Sequence, residues 1–289
     1  LPEGGKNSKG RALQNLLSIE PGDHVRTFIR CQQLDDPEYT SSHYLVFGTR
    51  NGVIKKTQLS EYARVLAKGK KAIVLRPGDT LIGVELTDGN SEILMANRHG
   101  RAVRFSESEL RCMGRVSSGV RGMRIDENED DAVIGMVSVS ETTENTILVL
   151  SENGYGKRSL VDSYRKTSRG TKGVKTLNVT DKTGELVAFE SVNDDNDLVI
   201  VNRSGVILRI HVADIRVMGR YTQGVRIINL TKRNDAIASV CCVEADPEEE
   251  VMQIAPDAEE LPELDVTEET EVTEEIEEEE DNTEVNGEE

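Results

Sequence analysis

The chain repeats one segment about every fifty residues. RCMGRVSSGVRGMRI at 111–125 and RVMGRYTQGVRIINL at 216–230 share a leading arginine, a Met-Gly-Arg triplet, a Gly-Val-Arg triplet and an apolar run. The glycine of this segment recurs as Gly10, Gly69, Gly119, Gly173 and Gly224. One unit of this length cannot bury its own apolar face and must stack on its neighbours, which predicts a repeat array such as a propeller.

Within each repeat, short apolar runs indicate β-strands. The run YLVFG (44–48) has counterparts in EILMAN (92–97), TILVLS (146–151) and LVIVN (198–202). Asn-Gly and Ser-Gly in the turns that follow are hairpin signals, because glycine reaches the positive φ that such turns require. Segments such as LSEYAR (59–64) come next and are predicted to be one helical turn or a crossing strand.

This pattern predicts an all-β, propeller-like array at residues 1–245. Its units are four full repeats and a half repeat, at about 9–66, 67–117, 118–170, 171–222 and 223–245. The N-terminal LPEGGKNSKG has neither a starting Met nor a signal-peptide pattern, and we interpret it as the exit from a preceding, missing blade. We expect the half repeat to pair with strands of that first blade, so that their absence leaves an unpaired edge.

Charge divides the chain into two parts. Residues 245–289 hold 22 Asp or Glu and no Lys or Arg, whereas residues 1–244 carry 35 basic and 31 acidic side chains. A mildly basic domain is therefore followed by an acidic tail, 246–289, which is predicted to be disordered. The tail either aids solubility or competes with a polyanionic ligand for the basic residues of the domain.

Several classes of site are not indicated. No run of about twenty apolar residues suggests a membrane span, and no G-x-x-x-x-G-K-[ST] loop suggests ATP binding. The histidines are scattered, and the cysteines show no C-x-x-C spacing, so we predict buried free thiols and no metal site. Those cysteines are Cys31, Cys112, Cys241 and Cys242.

Lysine and arginine recur at fixed repeat positions and are the candidate DNA-binding residues. One series follows the hairpin turns: Lys55, Lys56, Arg104, Lys157, Arg158 and Arg209. The other flanks the repeated glycines: Arg11, Lys70, Lys71, Arg115, Arg121, Arg169, Lys172, Lys175, Arg220 and Arg226. If the blades fan around an axis, both series fall on a curved rim, which suits phosphate contact along a bent duplex. The alternative is that these are simply exposed residues of outer strands.

Five strings carry a resemblance to a known family. They are LSEY, RFSESELRCMGRVSSGVRGMRI, NGYGKR, YRKTSRGTKGVKTL and VMGRYTQGV. Together they resemble the C-terminal domain of bacterial DNA gyrase A, over almost the whole of 1–245. The resemblance implies a β-pinwheel, a propeller-like disc whose blades exchange strands and whose basic rim wraps duplex DNA. It also implies about six blades in a complete domain, so that this chain is a fragment.

The resemblance further implies a module without catalysis of its own. In the complete type II topoisomerase, the gyrase A and gyrase B polypeptides form an A2B2 assembly, and wrapping lets the enzyme introduce negative supercoils with ATP and Mg²⁺ that other parts bind. The implied location is the bacterial cytoplasm, on the chromosome. The cleaving tyrosine belongs upstream; Tyr221 is equivalent by repeat to Val116 and Gly170, and is interpreted as a loop residue.

The chain departs from the family at its hallmark, the box QRRGGKG. The nearest string is SRGTKG at 168–173, which we interpret as an ordinary interblade loop because RVSSG (115–119) and RYTQG (220–224) are comparable. Two alternatives stay open. One is the corresponding C-terminal domain of topoisomerase IV, which usually has fewer, more degenerate blades and no box. The other is a propeller-like scaffold that binds proteins and not DNA.

Overall fold

The described part of the chain is built almost entirely of short antiparallel strands. The computed structural model describes residues 9, 12, 15, 19, 22–31, 33–64, 69–126, 130–140, 145–230 and 235–245. Gly10, Arg11 and the tail 246–289 lie outside these residues. The strands are β1 Tyr44–Thr49, β2 Val53–Gln58, β3 Leu81–Thr87, β4 Glu92–Asn97, β5 Arg101–Ser106, β6 Val120–Arg121, β7 Val133–Val139, β8 Thr146–Ser151, β9 Tyr155–Leu160, β10 Val174–Lys175, β11 Leu186–Val192, β12 Asn196–Asn202, β13 Ile207–His211, β14 Val225–Arg226 and β15 Ile237–Glu244.

Four antiparallel sheets follow one another as blades. Their strand orders are β3-β1-β2-β6 in blade 1, β10-β5-β4-β7 in blade 2, β11-β8-β9-β14 in blade 3 and β13-β12-β15 in blade 4. The strands β3, β7, β11 and β15 contact one another from blade to blade and are the inner strands. The all-β, propeller-like prediction is thus confirmed.

Alternation along the central strands builds the core between the blades. In β4, Ile93 and Met95 pack toward blade 1, while Leu94 packs toward blade 3. In β8, Val149 faces blade 2 and Leu148 faces blade 4. Successive side chains of a strand point to opposite faces, so a continuous apolar run fills two interfaces at once. This is why the strands read as unbroken Ile, Leu and Val rather than as an alternating pattern.

The blades exchange strands at their outer edges. After β5 of blade 2, the chain crosses to blade 1, where β6 pairs with β2, and then returns as β7, the inner strand of blade 2. In the same way β10 from the blade 3 segment pairs with β5, and β14 from the blade 4 segment pairs with β9. The expected pinwheel exchange is therefore present between each pair of neighbouring blades.

Each exchanged strand begins at one of the repeated glycines. Gly119, Gly173 and Gly224 all have positive φ, between 73° and 94°. An added Cβ would lie 2.5 Å from the carbonyl oxygen of Ile54 at Gly119 and 2.5 Å from that of Gly156 at Gly224, closer than real Cβ atoms approach backbone. The repeat therefore requires glycine here for two reasons, namely the backbone conformation and the close approach of the neighbouring strand.

The segments that follow the hairpins are 3₁₀ turns. They span Leu59–Tyr62, Glu107–Glu109, Val161–Ser163 and Val212–Asp214. The prediction of one helical turn is correct for these, and the alternative of a crossing strand is wrong. The one α-helix among the described residues, α1, is short and occupies Pro37–Ser42 before β1, with the Asp36 side chain accepting from the Glu38 amide at its N-terminus. The sequence patterns predicted no helix there.

The predicted pairing of the half repeat 223–245 is wrong. Its two strands complete existing sheets, since β14 pairs with β9 and β15 pairs with β12 from Asn196 to Asn202. Within the described residues, the strand that receives no exchanged partner is β13, at the outer edge of blade 4. The inner strand of each blade lies about a repeat beyond its first strand, so the sheets straddle the repeat boundaries read from the sequence.

The cysteines are free thiols, as predicted, but they are not buried. Cys112 and Cys241 are exposed, and Cys31 and Cys242 are partly exposed. Cys112 begins a loop that lies over the edge of the neighbouring blade, and Cys241 lies on β15, one face of which is not covered by a further blade among the described residues. No helix in the described part of the chain is long and apolar enough to cross a membrane.

Candidate nucleic-acid interface

The cations that follow the hairpin turns bind the next blade. We call Lys56, Arg104 and Arg158 the interblade cations. Lys56 Nζ lies 2.9 Å from Glu107 Oε1, which belongs to the 3₁₀ turn of blade 2. At blade 2 the Arg104 Nη1 atom donates to the Val161 and Tyr164 carbonyl oxygens of the following 3₁₀ turn, at 2.7 and 2.9 Å.

Arg158 makes the same connection between blades 3 and 4. Its Nε donates to the Ile215 carbonyl oxygen at 2.8 Å, and its guanidinium also forms an ion pair with Asp194. Arg209, the equivalent residue of blade 4, stays within its own sheet, where its Nε lies 2.8 Å from Asp197 Oδ2. Buried charges require partners of this kind, because an unpaired charge away from water is costly.

The two lysines beside this series are also internal. Lys55 Nζ donates to the carbonyl oxygens of Ala72 and Arg115, at 2.5 and 2.6 Å. In blade 3, Lys157 Nζ donates to those of Gly219 and Arg220, at 2.6 and 2.7 Å. Burial and the nearby Arg220 guanidinium lower the pKa of Lys157 to about 7, although its oxygen acceptors, which include Thr222 Oγ1, suit the ammonium form.

These positions revise the assignment of the first cation series. Lys55, Lys56, Lys157 and Arg158 are at most 6% exposed, and Arg104 and Arg209 are mostly covered. Their donors are directed at carboxylates and carbonyl oxygens of the protein. All but Arg209 connect one blade to the next, Arg209 is paired within its own sheet, and a DNA surface has to be sought among the other cations.

A different group of cations lies just past the repeated glycines, three of them on the exchanged strands and Lys71 in a loop. We call Lys71, Arg121, Lys175 and Arg226 the outer cations, since each comes two residues after a repeated glycine and all four are exposed. Within the described residues, none of them forms a salt bridge with a carboxylate. Arg226 instead donates from Nη2 to the Tyr155 hydroxyl at 2.7 Å.

Backbone hydrogen bonds hold the loops of the outer cations side by side. The amide of Val74 donates to the carbonyl oxygen of Ser117 at 3.1 Å, and that of Arg124 donates to Thr171 at 2.9 Å. The amide of Asn178 repeats the contact with Thr222 at 3.4 Å. The outer cations therefore lie on four consecutive loops, each fastened to the next.

Charge is concentrated in these loops. Residues 165–178 contain five Lys or Arg and no Asp or Glu, and residues 69–76 and 216–229 contain three each with no acidic residue. Residues 111–126 contain four, with Asp126 as the one acid. A row of exposed cations with few neighbouring carboxylates creates a positive potential that attracts a polyanion.

Three further predicted residues belong to neither the interblade cations nor the outer cations. We call Arg115, Arg169 and Arg220 the loop arginines; they are equivalent by repeat, and each bonds to the preceding blade. The side chain of Lys70 donates to the Glu61 carbonyl oxygen at 3.0 Å, while that of Lys172 is exposed.

The sequence-based assignment omitted three exposed arginines at one repeat position. Arg111, Arg165 and Arg216 follow the 3₁₀ turns of blades 2, 3 and 4 and lie at the start of the loops described above. They are the leading basic residue of the repeated segment, so the periodicity already contained the signal. Blade 1 has Ala63 at the equivalent position, and its arginine, Arg64, comes one residue later.

Tyr221 is an exposed loop residue, as predicted. Its ring is 68% exposed and stacks under the Arg220 guanidinium, 4.3 Å from the ring centroid. The Arg220 Nη2 atom also donates to its hydroxyl at 2.8 Å. No general base or carboxylate is among these contacts, so the geometry offers no activation of a nucleophile.

Two carboxyl groups approach each other among the inner strands. Glu85 on β3 accepts a hydrogen bond from Ser138 Oγ on β7 at 3.2 Å, and Glu190 lies on β11, the next inner strand. Burial raises the pKa of Glu85 to about 7. Burial, with the charge of Glu85, raises that of Glu190 to about 7 as well. These groups do not belong to the basic surface.

Comparison with known proteins agrees with this architecture. Residues 43–88, 91–140, 145–193 and 196–243 match the family described as DNA gyrase C-terminal domain, beta-propeller. The chain belongs to this family. Each matched segment begins with the two long strands of a blade and ends at its inner strand, so the family repeat is the structural blade.

Two relatives with similar sequences are DNA gyrase A polypeptides of staphylococci. The chain is 40% identical over 230 residues to the DNA gyrase A polypeptide of Staphylococcus epidermidis. This match covers 80% of the present chain and 25% of the relative. It is 39% identical over 250 residues to the DNA gyrase A polypeptide of Staphylococcus aureus, which covers 86% and 27%. The chain thus spans about a quarter of the length of the curated relatives it matches.

Solved structures of two C-terminal domains share the fold. The C-terminal domain of DNA topoisomerase IV superposes with a TM-score of 0.72 at 26% identity, covering 81% of this chain and 71% of that one. The DNA gyrase A C-terminal domain superposes with a TM-score of 0.69 at 24% identity, covering 81% and 75%. What the chain matches is therefore the C-terminal domain of a topoisomerase polypeptide.

Proposed function

We propose that this chain is the DNA-binding and DNA-wrapping module of a bacterial DNA gyrase A polypeptide. The observation that carries the proposal is the set of outer cations, which are exposed, recur once per loop and have no carboxylate partner among the described residues. Phosphates along a duplex repeat at regular spacing, so cations at a regular spacing on fastened loops suit them. Membership of the gyrase C-terminal domain family supports the same ligand.

The proposed contact set is narrower than the one expected from the sequence. It comprises Lys70, Lys71, Arg111, Arg121, Arg165, Lys172, Lys175, Arg216 and Arg226. Arg11 stays a prediction outside the described residues. The interblade cations with Lys55 and Lys157 are assigned to holding the blades together, and Arg209 to its own sheet, because their donors already have acceptors in the protein.

Several contacts must act together for the duplex to bend. Bending 20–30 bp smoothly through 40–90° costs on the order of 1–6 kcal/mol. Consecutive loops that each present cations supply such a set of contacts. Phosphate contacts carry no base information, so the affinity is expected to be about equal for unrelated sequences.

In the complete enzyme, wrapping would give strand passage a direction and so lead to ATP-dependent negative supercoiling. The partners are then duplex DNA, the remainder of the gyrase A polypeptide and the gyrase B polypeptide, on the bacterial chromosome in the cytoplasm. ATP and Mg²⁺ would be bound by those other parts. The chain alone is expected neither to cleave nor to relax DNA, and relaxation by the purified chain would contradict this assignment.

The topoisomerase IV counterpart of gyrase A is the second candidate. The C-terminal domain of topoisomerase IV superposes slightly better than that of gyrase A, with TM-scores of 0.72 and 0.69. The relatives at 39–40% identity are gyrase polypeptides, however, and this favours gyrase. Both candidates place DNA on the same surface.

Salt-dependent binding tests the proposal. The affinity of the chain for two duplexes of unrelated sequence would be measured by fluorescence anisotropy across a salt series. The logarithm of the association constant is expected to fall linearly with the logarithm of salt, by about 0.9 per phosphate contact, and equally for both duplexes. An affinity that is negligible at every salt concentration would instead favour the protein-binding scaffold.

A further inference from the structure

Each loop arginine reaches back to the loop of the preceding blade. In all three, Nη1 donates to the backbone carbonyl oxygen of an outer cation, and not to a side chain. The bonds join Arg115 to Lys71 at 3.2 Å, Arg169 to Arg121 at 3.0 Å and Arg220 to Lys175 at 2.6 Å. The same contact is thus repeated at every junction between loops in the described part of the chain.

Each of these residues also binds the 3₁₀ turn of the preceding blade. Three different groups provide the second bond. Arg115 Nε lies 3.4 Å from Glu61 Oε2, the Arg169 amide donates to Glu109 Oε2 at 3.1 Å, and Arg220 Nε donates to the Ser163 carbonyl oxygen at 2.8 Å. Every loop arginine therefore fixes an outer cation relative to the 3₁₀ turn that precedes that cation in the chain.

We propose that the loop arginines are positioning residues, which set the spacing and direction of the outer cations and so the bend of the bound duplex. This inference rests on the proposed function. Arg220 is the clearest case, since it is 9% exposed and its Nε, Nη1 and Nη2 all have acceptors within the protein. A guanidinium so occupied holds neighbouring loops together and has little surface left for phosphate.

Replacement by lysine separates positioning from charge. Lysine keeps the positive charge but presents a single ammonium on a flexible stem, so it cannot reproduce the planar, forked set of bonds. A phosphate contact would largely survive Arg220→Lys, whereas the fixed spacing of the loops would not. Lys172→Ala is the matched control. It removes an exposed cation from the neighbouring loop, and the Lys172 side chain forms no such set of bonds with the described residues.

The experiment measures bend and affinity separately, on the full chain. A duplex labelled at both ends reports bending by energy transfer at saturating protein, and anisotropy across a salt series reports affinity. For Arg220→Lys we expect the gain in energy transfer to fall by half or more, with affinity within about threefold of wild type and the salt slope unchanged. For Lys172→Ala we expect a salt slope smaller by about 0.9 and a much smaller loss of energy transfer than for Arg220→Lys.

The outcomes are distinct. An unchanged bend in Arg220→Lys overturns the proposal, whatever its affinity. Absence of binding by the wild-type chain refutes the proposed function itself, and is recognised before any variant is compared. Thermal unfolding of each variant shows whether it is folded. Should Arg220→Lys fail to fold, Arg115→Lys at a partly exposed position undergoes the same test, and an unchanged bend there overturns the proposal equally.

Discussion

The interblade cations and the outer cations have the same chemistry and the same period, yet they lie in opposite surroundings. Arg158 is 6% exposed, with its donors directed at Asp194 and at carbonyl oxygens of the next blade. Arg121 is exposed and forms no salt bridge with a described carboxylate. Periodic charge in a repeat protein therefore has two uses, to join one unit to the next and to present a surface, and burial distinguishes them.

The largest expected effect is on stability. Arg158→Ala leaves the Ile215 carbonyl oxygen without its donor at the junction of blades 3 and 4, which should lower the free energy of unfolding by about 2–4 kcal/mol. The matched variant Arg121→Ala should change it by less than about 0.5 kcal/mol, because its side chain is exposed. Urea denaturation of both checks this, and equal losses would remove the distinction between the two groups.

The next effect is on DNA binding. Replacing Lys71, Arg121, Lys175 and Arg226 together by alanine should weaken duplex binding on the order of 100-fold near 0.1 M salt and flatten the salt slope by about 3.6. Thermal unfolding should stay close to that of wild type. An unchanged slope in the folded variant would show that the outer cations do not contact phosphate.

Buried carboxyl groups also differ in whether they have a charged partner. Asp197 is buried and paired with Arg209, whereas Glu85 and Glu190 form no salt bridge with a described cation. Their pKa values are raised from 4.5 to about 7. In the unfolded chain they ionise near 4.5 while the folded chain keeps them protonated, so the stability that they contribute falls as pH rises from about 4.5 to 7.

The variants Glu85→Gln and Glu190→Gln should flatten this pH dependence. Chemical denaturation of wild type and variants at pH 5 and pH 8 measures it, with the exposed Glu38→Gln as control. A wild-type chain that gains stability from these groups between pH 5 and pH 8 would reverse the expected sign.

The smallest effect concerns the acidic tail, which lies outside the described residues. Its 22 carboxylates are tethered to the domain and can occupy the cations that would otherwise meet phosphate. Deleting residues 246–289 should raise DNA affinity several-fold below about 0.1 M salt, where the Debye length is about 10 Å or longer. Binding curves of both forms that superimpose at low salt would leave the tail with a role in solubility alone.

Much of the fold follows from the sequence because its signals are local. Apolar runs, Gly-containing turns and the repeated glycines predict strands, hairpins and a blade array, and the positive φ of Gly173 explains why that position repeats. The pairing of residues 223–245 could not be predicted, since it depends on which edge receives the exchanged strand. The α1 helix is too short to produce a period.

The candidate site can likewise be predicted from the sequence only in part. The sequence identifies both cation series but not which of them is buried. A signal exists in the hairpin register: Arg104 pairs with Leu94, which puts Glu92 on the same face two residues along, and Arg209 stands likewise to Asp197. In blades 2 and 4 this acidic residue therefore marks a cation that is paired within the protein. The corresponding residues of blades 1 and 3 are Tyr44 and Thr146, so the signal is missing for Lys56 and Arg158.

Closure of nicked plasmid circles tests most sharply whether the outer cations hold a wrapped duplex. Nicked circles would be ligated in the presence of saturating chain, and the linking number of the purified product compared with that of circles ligated without protein. We expect a shift in linking number that grows with the number of chains bound and is lost in the variant with all four outer cations replaced by alanine. A wild-type chain that binds the circles without any shift, or a variant that retains the full shift, would contradict the assignment of these cations to a wrapped duplex.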